Sequence, residues 1–258
     1  MNTRKNYGWK PDLPDVRDFK YKLSSFVPFQ TTNNRYNLIM PPIQDQLNLG
    51  SCTGNACASI MNFLYLNGHF QYKPKVSPVP FSRLFIYYNE RLIENTVSQD
   101  AGAQIRDGIK VLAAKGVPPE TLCPYNVDKF TKIPSHAAWM EATKYKAIIY
   151  ERLNNVILEQ LVACLVSGFP FVFGFSVYES FETLKVATTG IVPMPLPTEQ
   201  LLGGHCVWCI DYDADQRGFW CVNSWGSSWG KEGLFFLSEE YLTNTNLADD
   251  FWTIKIIK

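Results

Sequence analysis

The texture of the chain changes once, near residue 140, and that change constrains the fold more than any other feature. Before it, apolar residues fall in runs long enough and free enough of Pro and Gly to be helices. After it they come in short β-branched and aromatic runs bounded by turn residues. The stretch Asn55 to Leu66 is rich in small and apolar residues, without Pro or Gly, and predicts a buried helix whose N-terminal end lies near Cys52. Two more helices are expected over 82–94 and 103–115, the second stopped by Gly116 and Pro118-Pro119. Strands are expected over 146–150, 171–177, 206–212, 219–223, 234–237 and 251–257, with one amphipathic helix over 155–167 carrying Val156, Leu158, Leu161, Val162 and Leu165 on its apolar side. Helices followed by a mostly antiparallel sheet make an α+β protein, and 258 residues suffice for one large domain or two lobes.

Residues 1–35 fit neither texture. They are polar, punctuated by Pro11, Pro14 and Pro28, and carry aromatics at Tyr7, Trp9, Phe19, Tyr21, Phe26 and Phe29. So many aromatics are not left in water, which predicts an extended strap packed on the body of the protein. No apolar stretch follows the early positive charges, so no secretory signal is read there, and no run approaches the roughly 20 apolar residues of a membrane span. Lys+Arg and Asp+Glu balance at 24 each, which gives no overall field for nucleic acid or an anionic membrane. Seven cysteines, an odd number, suit a setting that keeps thiols reduced. That is intracellular and cytoplasmic, or inside a virion if the source is viral, rather than lysosomal or secreted.

Three segments carry chemistry. The first is Gln44 to Gly54, in which Gly50-Ser51 leads into Cys52 at the start of the expected helix. Free backbone N–H groups and the helix dipole favour thiolate there, and the Cys52 N–H and the Gln46 side-chain amide can both point at a developing oxyanion. Taken alone, most cysteines in such a place are small buried hydrophobes. The second is Gly203-Gly204-His205, opening a β-rich run, where a histidine ring can reach a neighbour across a lobe edge; His69 and His136 lie in unpatterned polar surroundings. The third is Phe219 to Gly230, an apolar strand that ends in Asn223 and runs on into a Gly- and Trp-rich turn. Asn223 can accept from the His205 ring and fix it, with Trp225 roofing that bond. Structurally the same segment is an aromatic turn between strands.

Together these segments resemble the papain family of cysteine peptidases. The run Asn223 to Gly233 is long and specific to that family, Gln46 stands six residues before Cys52 at the family's spacing, and His205 and Asn223 follow in the family's order. The resemblance spans about residues 36–258 and is closest to the short forms of bacteria and large DNA viruses. It implies a two-lobed fold, with a helical lobe over about 36–135, a β-barrel-like lobe over about 136–258 and the active site in the cleft between them. It also implies a Cys-His-Asn trio of Cys52, His205 and Asn223, a peptide or protein as substrate, and no metal or cofactor. Gly102, in a segment that pairs with extended peptides in the family, joins Gly204 and Trp225 as an expected substrate-binding residue, and Cys123-Pro124-Tyr125 matches the family's Pro-Tyr turn. Two departures stand out: Leu49 and Thr53 replace a cysteine and a tryptophan of the secreted members, so their disulfide is missing.

The expected activity is an endopeptidase. A catalytically silent peptide-binding module and an acyl transferase on the same trio are the alternatives. Cys206 and Cys209 are three apart in a strand and face opposite sides, and Cys57 lies inside the helix, so all three are expected to be structural. An N-terminal strap across the cleft is expected either as an inhibitory propeptide or as a permanent brace.

Overall fold

The computed structural model of the protein describes residues 6–23, 28–70 and 80–257; Phe26, expected to pack with the strap, lies outside them. Its helices are α1 (Asn34–Asn37), α2 (Cys52–Leu66), α3 (Arg83–Ile93), α4 (Ile105–Ala114), α5 (His136–Ala142), α6 (Leu158–Val166), α7 (Leu184–Thr189) and α8 (Glu239–Thr243). Its strands are β1 (Trp9–Lys10), β2 (Ala103–Gln104), β3 (Ala147–Arg152), β4 (Phe171–Tyr178), β5 (Leu201–Asp213), β6 (Gly218–Val222), β7 (Leu234–Ser238) and β8 (Ala248–Ile257).

Helix α2 is the hub of the helical part because its small and apolar residues leave no polar face. Residues 52–64 are all buried, with α3 and α4 on one side and the sheet on the other. Helix α3 begins where Ser82 can cap it, its Oγ accepting the Phe85 N–H at 3.1 Å. The second half folds as one antiparallel sheet in the order β3-β8-β4-β5-β6-β7. Strand β5 is buried on both faces: Cys206, Trp208 and Ile210 share a core with α2, whereas Val207, Cys209 and Tyr212 belong to a second core beyond the sheet.

Three expectations need correction. Among the described residues the sheet is open rather than closed into a barrel; its edges are covered by other chain segments, Lys20 bridging Arg152 on β3 and Ile191 bridging Phe236 on β7. Strand β5 starts at Leu201 and not at Cys206, because Gly203 and Gly204 pair with Val177 and Ser176 and carry the strand through the glycines. Helix α6 starts at Leu158, since Asn155 is held back by bonds from its Nδ2 to the carbonyls of Leu242 (2.7 Å) and Ala248 (3.1 Å). No helix of the described residues is long and apolar enough to cross a membrane.

The strap is built into both halves. Strand β1 pairs in parallel with β2, Trp9 opposite Ala103. Further on, the Tyr21 N–H donates to the Arg152 carbonyl at 2.8 Å and the Arg152 N–H to the Phe19 carbonyl at 2.7 Å, which fixes the strap along β3.

Candidate active site

Cys52 is the first residue of α2, and the turn before it leaves its helix end uncapped. The Ser51 hydroxyl bonds the Tyr125 hydroxyl at 2.7 Å and the Asn55 Nδ2 at 3.0 Å instead of capping the helix. Helix-end N–H groups therefore stay available to the sulfur, and no acidic residue sits in the first turn to oppose a thiolate. The approach to Cys52 is fixed from beneath. The Gly50 N–H donates to both Asp100 carboxylate oxygens at 3.0 Å, Tyr87 donates to Asp100 Oδ1 at 2.6 Å, and the Tyr125 hydroxyl donates to the Gln46 carbonyl at 2.8 Å. Tyr125 of the Pro-Tyr turn thus ties Ser51, the residue before Cys52, to Gln46.

His205 lies within β5 and Asn223 just past the end of β6, neighbouring strands of the sheet. Their bond, Asn223 Oδ1 to His205 Nε2 at 2.8 Å, leaves Nδ1 as the ring nitrogen that can exchange a proton with a thiol. Trp225 stacks on His205, ring centres 5.1 Å apart and planes 27° from parallel, and keeps water from the bond. The backbone N–H of Cys206, the residue after His205, points at the Cys52 sulfur, so the two strands bring the ring to the helix end. Ser224 Oγ donates to Gln46 Oε1 at 2.7 Å, which orients that amide with its Nε2 toward the cleft.

The cleft is filled by the protein's own strap. Gln46 Nε2 donates to the Asn6 carbonyl at 3.2 Å, the Gly8 N–H points at the Cys52 sulfur, and the Gly8 carbonyl accepts the Ala103 N–H at 2.7 Å. Gly102 has φ +69°, and a Cβ there would stand 2.2 Å from the Gly8 oxygen, so only glycine admits the strap. Tyr7 lies edge-on to His205 at 6.0 Å and bonds Glu182 through its hydroxyl. Trp9 covers Gly204. Cys52, His205 and Gln46 have no solvent exposure as a result. Helix-end geometry favours thiolate, yet burial under the strap outweighs it and pushes the Cys52 thiol up to about 12.

All four residues expected to carry the reaction meet here, and so do Gly102, Gly204 and Trp225. In the sequence Tyr7, Gly8 and Trp9 mark only a strap, although two aromatics flanking a glycine are a signal of backbone inserted between walls. No local pattern marks Asp250 and Gly174, at the far side of Trp9. Cys57 is buried inside α2; Cys206 faces α2, and Cys209 faces the other core opposite Cys221.

The family described as papain family cysteine protease matches residues 30–253. An uncharacterized peptidase C1-like protein of Acanthamoeba polyphaga mimivirus is 38% identical, over 97% of this chain and 87% of its own length. Xylellain, a cysteine protease from Xylella fastidiosa, has a similar structure, with 38% identity, a TM-score of 0.86 and full coverage of both chains. A procathepsin B from Trypanosoma congolense shares the fold at 14% identity and a TM-score of 0.69, over 98% of this chain and 86% of its own.

Proposed function

The chain belongs to the papain family of cysteine proteases, and we propose that it is an endopeptidase in which Cys52 attacks the carbonyl of a peptide bond. With the cleft open, the Cys52 thiolate pairs with protonated His205 and adds to the carbonyl carbon. The oxyanion accepts from the Cys52 N–H and from Gln46 Nε2. His205 passes its proton to the leaving amine, Asn223 holding the ring in place, and then draws one from the water that hydrolyses the thioester. One observation carries this reading: Gln46 Nε2 already holds a peptide carbonyl, that of Asn6, beside a backbone N–H directed at the Cys52 sulfur.

Residues 6–10 hold the enzyme off by lying in the cleft, and activity follows their departure. The seven thiols, with Cys209 and Cys221 opposite one another and unbonded, favour a setting that keeps cysteines reduced. Labelling by a thiol-directed epoxide tests the reaction: Cys52 is expected to be the modified residue, with label and peptide cleavage lost together in Cys52→Ala. Cleavage that survives in Cys52→Ala overturns the assignment.

A further inference from the structure

Asp100 stands at the surface, where its carboxylate gathers donors from three separate stretches of chain. The Gly50 N–H reaches both oxygens at 3.0 Å, the Tyr87 hydroxyl donates to Oδ1 at 2.6 Å, and the Asn6 side-chain amide donates to Oδ2 at 3.2 Å. Tyr87, fully buried on α3, passes the hold onward, since its hydroxyl oxygen accepts the Gly102 N–H at 3.1 Å. One carboxylate and one phenol therefore join Gly50, just before the nucleophile, to Gly102 of the segment that receives the strap.

Both glycines depend on that hold. Gly50 is the middle of a three-residue turn closed by the Ser51 N–H on the Leu49 carbonyl at 2.8 Å. A Cβ on Gly50 would stand 3.1 Å from Asp100 Oδ1, so the carboxylate lies close against the turn. The direction of the Cys52 N–H, which an oxyanion needs, follows from how that turn is held. Gly102 has φ +69°, and with its N–H turned inward onto Tyr87 the next N–H, that of Ala103, faces the strap and takes the Gly8 carbonyl at 2.7 Å. The strap is fitted to this arrangement: the Asn6 carbonyl accepts from Gln46 Nε2 while its side-chain amide donates to Asp100.

We propose, building on the endopeptidase reading, that Asp100 is a positioning residue for the reaction. Through Gly50 it sets the turn that aims the Cys52 N–H, and through Tyr87 it sets the segment on which a peptide backbone lies, so that chain and nucleophile meet in register. A carboxylate suits this role because bonds to a charged acceptor are about twice as strong as neutral ones, and its two oxygens serve Gly50 and Tyr87 together. Asparagine keeps the size but replaces one oxygen by an NH2 group, and the Gly50 N–H, which lies against both positions, then meets a second donor.

In the full chain carrying Tyr7→Ala and Trp9→Ala, adding Asp100→Asn should lower kcat about tenfold and raise KM, because both ends of the tie loosen. Adding Tyr87→Phe instead frees Gly102 and leaves the Gly50 bonds, so KM should rise severalfold while kcat stays within about twofold. Kinetic constants that stay within about twofold of the parent in both variants overturn the proposal, even where the melting temperature drops, since that drop marks a tie that serves stability alone. Amide hydrogen exchange in otherwise native full chains needs no turnover: Asp100→Asn should speed exchange at both Gly50 and Gly102, and Tyr87→Phe at Gly102 alone. Unchanged exchange at Gly50 in Asp100→Asn contradicts the tie, whereas the expected exchange pattern in a chain that cleaves no peptide would sink the endopeptidase reading and leave the tie standing.

Discussion

Two side chains next to Cys52 fix testable properties of the site. Gln46 is buried, braced by Ser224, and offers its amide to a carbonyl. Replacing it by Ala should lower kcat roughly 10²-fold with little change in KM, because one oxyanion donor acts in the transition state; an equal loss through KM would mark a ground-state contact. Glu90 is fully buried beneath α2, where Thr53 Oγ1 donates to it at 2.7 Å, and burial pushes its carboxyl from the ordinary 4.5 up to about 8. A carboxyl raised on folding contributes its full stability below its ordinary value and loses it as pH rises through the folded one. Thermal stability should therefore fall between pH 5 and pH 9, and Glu90→Gln, which keeps an acceptor for Thr53 without the charge, should flatten that fall. Parallel melting curves for the two proteins across that range would refute it. The meeting of Cys52, His205, Asn223 and Gln46 was legible in the sequence because each sits in a local pattern, a Gly-Ser turn before a helix, a Gly-Gly-His run in a strand and the end of an apolar strand. The bond from Trp9 to Asp250 was not, since its partners lie 241 residues apart.

At the scale of elements, the strap has two parts that do different things. Residues 6–10 fill the cleft, whereas Asp12 and Asp18 bind Arg106 of α4 and Arg152 of β3, pinning the next stretch across both halves. A chain shortened to begin at Pro11 should gain peptidase activity and still melt cooperatively. One shortened to begin at Tyr36 leaves buried Arg106 without its carboxylates Asp12 and Asp18, a loss of about 3–5 kcal/mol for a broken buried pair, or on the order of 10 °C in melting temperature. Melting both chains decides it: equal melting temperatures would mean that residues 11–35 brace nothing. The long helices and strands were legible because each follows one period of apolar residues. Their ends moved where a tertiary bond intervened, at Asn155 before α6 and at the glycines opening β5. The pairing of β1 with β2 was invisible, since it is two residues long and depends on Gly102 admitting the Gly8 carbonyl.

For the molecule as a whole, α2 supplies the thiol and the sheet supplies the imidazole, so the site exists only where the helical part and the sheet pack on a shared core. The change of texture near residue 140 was enough to read that division. The open form of the sheet was not, because edge coverage by residues 20 and 191 is a long-range property. Cys52 is the proposed nucleophile of a peptidase whose cleft is closed by its own residues 6–10. The most direct test of that assignment is peptide hydrolysis by the full chain, by the full chain with Tyr7→Ala and Trp9→Ala, and by that double variant with Cys52→Ala added. Turnover should be slow in the first, faster in the second and absent in the third. Turnover that persists without Cys52, or that does not increase when the two aromatics are removed, would contradict it.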